Sequence, residues 1–415
     1  MGSRARAVGC GLAAMVLAGA IIAAAVASSA FLSMRHAEAV WPAGQAALEA
    51  PAPGLPPDPE AWTRLLELIE AMPADLDITF VQDSLAGAGP PGRTEIDWDR
   101  LEPAMLAMDR LVEGGGLVPP PATLTEESPA YVRILEVARL RLLRAWSYAQ
   151  EDRDAEALAE MLRVERLGLL LEQAGGNLLV TMVGVAVEEA ALDEILDLLA
   201  TRPGVPSQAL IAVQAELEAG LALPNSLPGA IAAECRMMES TYDEMRHWDR
   251  DSLFAAARPG VAAAPQTTSG ENCCPPFYDP DRTIQLHRWR CARLVAAAAD
   301  PDYVWPTFET LFVRGSLEPG QYLDNPVGRV LLDISAPSFA PHADKLERLR
   351  RRKALAVVRV ALRRYELHQP DGGLPATLAD LVPAYLAAVP DGLGYEPGAR
   401  RLTVSAGAEV LTVEW

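Results

Sequence analysis

The chain of 415 residues is half apolar and carries a net charge of −20 at pH 7. So acidic a chain excludes nucleic acid as a partner held through phosphate contacts. The length suffices for two or three domains of about 100–200 residues, and the abundance of Ala, Leu, Glu and Arg points to helices.

Residues 8–32 hold no charged side chain, with Arg4 and Arg6 before them and Arg35 after. As a helix the run is long enough for a bilayer core of roughly 30 Å. It exceeds the roughly 7–15 apolar residues of a signal peptide. Residues 1–35 therefore read as an uncleaved signal anchor, with Ala25-Val26-Ala27 as the competing cleavage site. The basic start favours a cytoplasmic amino terminus and a body outside the cytoplasm, periplasmic or in the envelope. Residues 36–59 include Pro42, Pro51, Pro53, Pro56, Pro57 and Pro59 and read as an extended linker.

A helical body is expected over residues 60–300. Trp62, Leu65, Leu66 and Ile69 follow the i, i+3, i+4, i+7 pattern of a helical face. A second helix fits 99–112. Gly114-Gly115-Gly116 lacks the Lys and Ser/Thr of a P-loop and reads as a hinge. Residues 131–150 and 154–173 form a helical hairpin turning at 152–154. Ala145, Tyr148, Ala157 and Met161 occupy the packing positions of a tetratricopeptide repeat, so this hairpin resembles one such repeat. Further helices fit 178–199, 207–222, 228–249 and 283–299. Residues 301–343 are broken by Pro306, Pro319, Pro326, Pro337 and Pro341 and read as an irregular connector.

Residues 344–368 read as a basic helix. From Lys345 to Arg364, the residues Lys345, Arg348, Arg350, Arg351, Arg352, Lys353, Arg359, Arg363 and Arg364 stand against Glu347 alone, so a net +8 over that stretch leaves −28 for the rest. The simplest reading is a solvated helix face. The alternatives are docking on the chain's own acidic body or a copy of it, and contact with an anionic surface. A short helix at 377–386 and two or three antiparallel strands follow, with Pro397-Gly398 as a turn. The fold class expected is mainly α: an N-terminal transmembrane helix, a multi-helix array or bundle, and a small C-terminal α+β module over 344–415 ending in a β-meander.

Arg364-Tyr365, Asp371-Gly372-Gly373-Leu374-Pro375, Leu378-Ala379-Asp380-Leu381-Val382-Pro383, Tyr385-Leu386 and Val389-Pro390-Asp391 form a recurring pattern. In these residues the tail resembles a module of uncharacterised, membrane-anchored helical bacterial proteins. It is similar to the region after the long helix of the type II secretion major pseudopilin. That resemblance implies a role in a secretion or pilus-like assembly. It carries no metal site over, since the family's calcium-binding carboxylates find a match only at Asp391.

Cys235, Cys273, Cys274 and Cys291 make an even set in the exported body, and an oxidising compartment favours two disulfides. A bond between the adjacent Cys273 and Cys274 would close a strained ring. The favoured connectivity crosses from that pair to Cys235 and Cys291 on the flanking helices. The rival is a Cys/His metal set including His287 and Cys291, one turn apart. No H-E-x-x-H occurs, Ser316 lacks a nucleophile elbow, and Glu188-Glu189 and Asp193-Glu194 read as a solvated acidic face. No catalytic, cofactor-binding or metal residue is assigned. The chain reads as a non-enzymatic, membrane-tethered scaffold or interaction module, with a protein partner or its own copies as ligand. The alternative is a cell-envelope hydrolase using carboxylates.

Overall fold

The computed structural model describes residues 55–73, 96–119, 131–247, 278–300, 303–305, 332, 339–406 and 409–415. The expected signal anchor, most of the Pro-rich linker, and Cys273 and Cys274 lie outside these residues. Among the described residues no helix is long and apolar enough to cross a membrane.

Nine α-helices and one small sheet are described. They are α1 (Ala61–Ala71), α2 (Trp98–Val112), α3 (Tyr131–Gln150), α4 (Asp154–Glu172), α5 (Leu178–Thr201), α6 (Ser207–Ala222), α7 (Leu227–Glu244), α8 (Pro280–Ala299) and α9 (Ala340–His368). Strands β1 (Leu393–Glu396), β2 (Arg401–Ala406) and β3 (Glu409–Glu414) pair antiparallel in sequence order. The chain is thus mainly helical with a C-terminal β-meander.

The residues group into two units. One draws on Pro51–Ala122, Glu126–Ala233 and Pro341–Trp415, so α9 and the tail share a unit with α1–α6. The other takes its described residues from Glu234–Ala340.

In the first unit, α1 buries Ala61, Leu65 and Leu68, with Met72 one turn on. This face is rotated from the expected one, and Leu66 is exposed. The rotation follows from how the helix is entered. The Asp58 amide donates to the Gly116 carbonyl, the Gly116 amide donates back to Pro56, and Arg64 folds onto Asp58. The glycine run is therefore no hinge. It is an extended segment lying against 55–58, where a Cβ at Gly115 would sit 2.7 Å from the Pro56 carbonyl oxygen.

α3 and α4 form the expected hairpin. Asp152 takes a left-handed φ of 59°, and the Arg153 amide donates to the Tyr148 carbonyl to close the turn. Asn177 caps α5 by accepting from the Val180 amide. α5 is buried on nearly all sides because most of its residues are apolar. It crosses α4 at Gly168 and Gly184, where backbone meets backbone. A Cβ at Gly184 would collide with the Glu172 amide nitrogen and lie 2.6 Å from the Gly168 carbonyl oxygen. Two effects compete in Gly184→Ala. Helix propensity gains about 1 kcal/mol, whereas overpacking against an immovable backbone costs about 1–3 kcal/mol or more. The clash should win, giving a net loss of about 1–2 kcal/mol in denaturant unfolding. An unchanged or raised midpoint would contradict this packing.

In the tail the expected helix over 377–386 shrinks to a 3-10 turn, Leu378–Leu381. The Asp380 carboxylate accepts from the Thr377 amide and hydroxyl, which closes the turn. Pro383 blocks continuation, having no amide to donate. In the second unit α8 starts at Pro280, capped by Asp279, whose carboxylate accepts from the Arg282 amide. Helix α7 stops at Glu244, short of its expected end at 249, and turns through a 3-10 segment, Met245–His247. Tyr242, Met245, Tyr278 and Leu332 pack into a local core.

Candidate functional site

The acidic stretch of α5 and the basic stretch of α9 are not solvated faces. They dock on each other. Arg352 pairs with Asp193, and Arg348 Nε lies 3.4 Å from Glu189 Oε1. Arg348 also lies 3.6 Å from Glu409 on β3. Farther along α9, Arg359 donates to the Leu199 carbonyl (3.0 Å) and Arg363 to the Pro203 carbonyl. Arg359 thereby meets the carbonyl-rich C-terminal end of α5, the end a helix dipole makes negative, and Arg363 meets the turn just beyond it. Arg364 donates to Gln214 Oε1 (2.6 Å), Arg350 reaches the Leu221 carbonyl, and Arg351 pairs with Glu347 and the Ser405 carbonyl. Lys345 is exposed. Composition alone suggests solvation. The partners on α5 that reverse this lie about 160 residues away in sequence.

The centre of this docking surface is a closed cluster. Lys353 Nζ is 2.8 Å from Glu165 Oε1 on α4 and donates to Glu188 Oε2 on α5. The three side chains are 4%, 1% and 0% exposed, which seals them from substrate. Three glycines make room for them. The Gly168–Gly184 crossing brings α4 and α5 close, and a Cβ at Gly220 on α6 would stand 2.9 Å from Lys353 Nζ.

Burial pushes the Glu188 carboxyl well above the usual range, the Glu172 and Glu165 charges add to this, and Lys353 opposes it. Burial raises Glu165 as well. Burial also works against the Lys353 charge, but Glu188 and Glu165 outweigh it and hold the ammonium protonated. Two carboxyls facing one ammonium reach neutrality when they share one proton. Glu188 is the carboxyl pushed further.

A second buried cation ties α2, α3 and α4. Arg141, 1% exposed, donates to Glu160 Oε2 (2.6 Å), Asp109 Oδ1 (2.6 Å) and the Met105 carbonyl (3.1 Å). Sequence reading missed Arg141 and Glu165 and took Glu188 for a surface group. One local signal existed. Glu165 stands beside Val164 in a leucine-rich stretch that also holds Arg163 and Arg166, with Gly168 one turn on.

In the second unit Cys235 on α7 and Cys291 on α8 are bonded to each other, with Cα atoms 6.1 Å apart. This replaces the expected crossing to Cys273 and Cys274. The helices pack directly, so their buried cysteines meet without an intervening loop. His287, one turn before Cys291, places Nε2 2.9 Å from the Cys235 carbonyl oxygen. Burial holds its pKa down at about 4, the nearby Arg290 and Arg288 charges adding to the shift against the Cys235 hydrogen bond and Glu239. The imidazole is neutral at physiological pH. Arg288 pairs with Glu239, Arg246 donates to Asp281 (2.7 Å), and the Tyr278 hydroxyl donates to the Tyr242 carbonyl (3.2 Å).

No family model, curated protein or solved structure matches the chain.

Proposed function

We propose that this protein is a non-enzymatic helical scaffold, tethered to a membrane by residues 8–32, whose body works outside the cytoplasm as a protein-interaction module. One observation carries the scaffold reading. The buried charged groups Glu165, Glu188 and Lys353 are sealed where α4, α5, α6 and α9 meet, and they join helices. The buried Cys235–Cys291 bond supports the location, since such bonds persist in oxidising compartments.

The test is cross-linking of the full chain in intact cells, followed by membrane fractionation. The expected result is a chain retained in the membrane fraction after alkaline extraction and cross-linked to a protein partner or to its own copies. A chain recovered in the cytosolic fraction, or one that cross-links to nothing, would overturn the reading.

The rival is an envelope hydrolase with two converging carboxyls of raised pKa. Glu165 and Glu188 do converge and are raised. Their seal favours the scaffold, because a hydrolase must open its acids to substrate and water.

A further inference from the structure

We propose that reduction of the Cys235–Cys291 disulfide turns this spot into a binding site for a soft divalent cation of the Zn2+ type, held by the two sulfurs and Nδ1 of His287. The three side chains converge. Each offers one ligand atom, and these atoms lie within 4.8 Å of one another. Cys291 Sγ is 3.9 Å from His287 Nδ1. Around a tetrahedral zinc, neighbouring ligand atoms stand about 3.5–3.8 Å apart, given bonds of about 2.3 Å to sulfur and 2.0–2.1 Å to nitrogen. The sulfur pair must open and the imidazole must turn, both by side-chain rotation.

The histidine is held in the tautomer the task needs. A carbonyl oxygen can only accept, so the contact with Cys235 fixes the proton on Nε2. Nδ1 is left with its lone pair, and the Cys291 sulfur stands over the ring, 3.4 Å from Nε2 and 3.9 Å from Nδ1, so a turn of the imidazole brings the lone pair to the metal. Metal-ligating histidines are held in this way, with the other ring nitrogen donating to a carbonyl. Here the residue that orients the imidazole also supplies a sulfur.

Charge balance selects the ion. Cys235, His287 and Cys291 are all buried. Two thiolates and a neutral imidazole leave a divalent cation with no net charge to bury, whereas a monovalent or trivalent ion leaves one uncompensated. Soft sulfur donors favour zinc over magnesium or calcium.

The redox step is a thiol–disulfide exchange with a dithiol reductant. A thiolate of the reductant attacks one sulfur, the Sγ–Sγ bond breaks, and the second reductant thiol resolves the mixed disulfide. The reductant becomes a disulfide, and Cys235 and Cys291 take up two electrons and two protons. Cation binding then releases the two thiol protons. The bonded form, having spent both sulfurs, cannot hold the metal.

The test uses the full chain with Cys10, Cys273 and Cys274 replaced by Ser. It is reduced with dithiothreitol, freed of reductant without air, and titrated with Co2+ and then Zn2+. The expected result is one Co2+ per chain with a thiolate-to-cobalt charge-transfer band, bleached by Zn2+ and absent from the oxidised chain. His287→Gln keeps both sulfurs and should weaken Co2+ by more than about tenfold, while Cys291→Ser should abolish the band. A reduced chain with two titratable thiols and unchanged helical circular dichroism that takes up no Co2+ would overturn the proposal. So would a His287→Gln chain that binds Co2+ as tightly as its parent. Loss of the helical signal on reduction counts against the site unless Zn2+ restores it, and restoration supports it.

Discussion

Lys353→Met should destabilise the helical unit by about 3–5 kcal/mol, because it strips the ammonium that bonds two sealed carboxyls. The ammonium is 4% exposed, and Glu165 and Glu188 are buried more deeply still. Water cannot reach them to compensate. Denaturant unfolding measures the loss, and a change below about 1 kcal/mol would show that the cluster carries little.

Glu188→Gln separates charge from packing. If the two carboxyls share one proton, glutamine imitates the protonated one, and the variant should stay within about 1 kcal/mol of the parent. Glu165→Gln in the same background removes the remaining negative charge and should cost more. The pH dependence has a definite sign. Glu188 has a folded pKa raised above its unfolded value, so the folded form binds the extra proton. That contribution is complete below pH 4.5, the unfolded value, and is lost as pH rises through the raised folded pKa. Stability of the parent should therefore decline over that interval more steeply than that of Glu188→Gln. Glu172, Glu165 and Lys353 face the same carboxyl, so the curve belongs to the cluster. Parallel curves for parent and variant would exclude the shared proton.

Replacing Cys235 and Cys291 together by Ser should cost about 2–4 kcal/mol in the unit built on α7 and α8. The bond closes a loop across 56 positions of sequence. Removing it restores that loop's freedom to the unfolded chain, and the cost of closure rises only slowly with length. Local contacts remain: His287 on the Cys235 carbonyl, Arg288 on Glu239 and Tyr278 on Tyr242. The expected result is a folded variant whose amides at 280–299 exchange faster with solvent, with those of α3–α5 unchanged. Protection of α8 equal to that of the parent would show that the side-chain contacts suffice.

Much of the fold is legible in the chain. The bounds of α3 and α6 agree with their sequence pattern because the turn at 152–154 and Pro206 mark their limits. The β-meander was expected from alternation around Pro397-Gly398, and Leu402, Val404 and Leu411 are its buried residues. What was not legible is pairing at a distance. Glu188 looks like any acid in an acidic helix until Lys353 is known to stand beside it. The basic stretch looks solvated until the carbonyls of Leu199, at the end of α5, and Pro203, just beyond it, are seen to receive Arg359 and Arg363. Cys235 and Cys291 were both recognised as disulfide cysteines, but connectivity depends on which helices touch. In each case the local pattern is satisfied equally well by the wrong environment.

The docking of α9 on α5 has a consequence in time. Glu188 and Lys353 are separated by 165 positions, so at about 5–20 residues per second the base is synthesised on the order of ten to thirty seconds after the acid. Until then the acidic crossing of α4 and α5 has no cation to close it, and burying those carboxyls is unfavourable. Completion of the core waits for α9. A body that cannot close early keeps its apolar crossing exposed during that interval, when association with other chains competes with docking of α9.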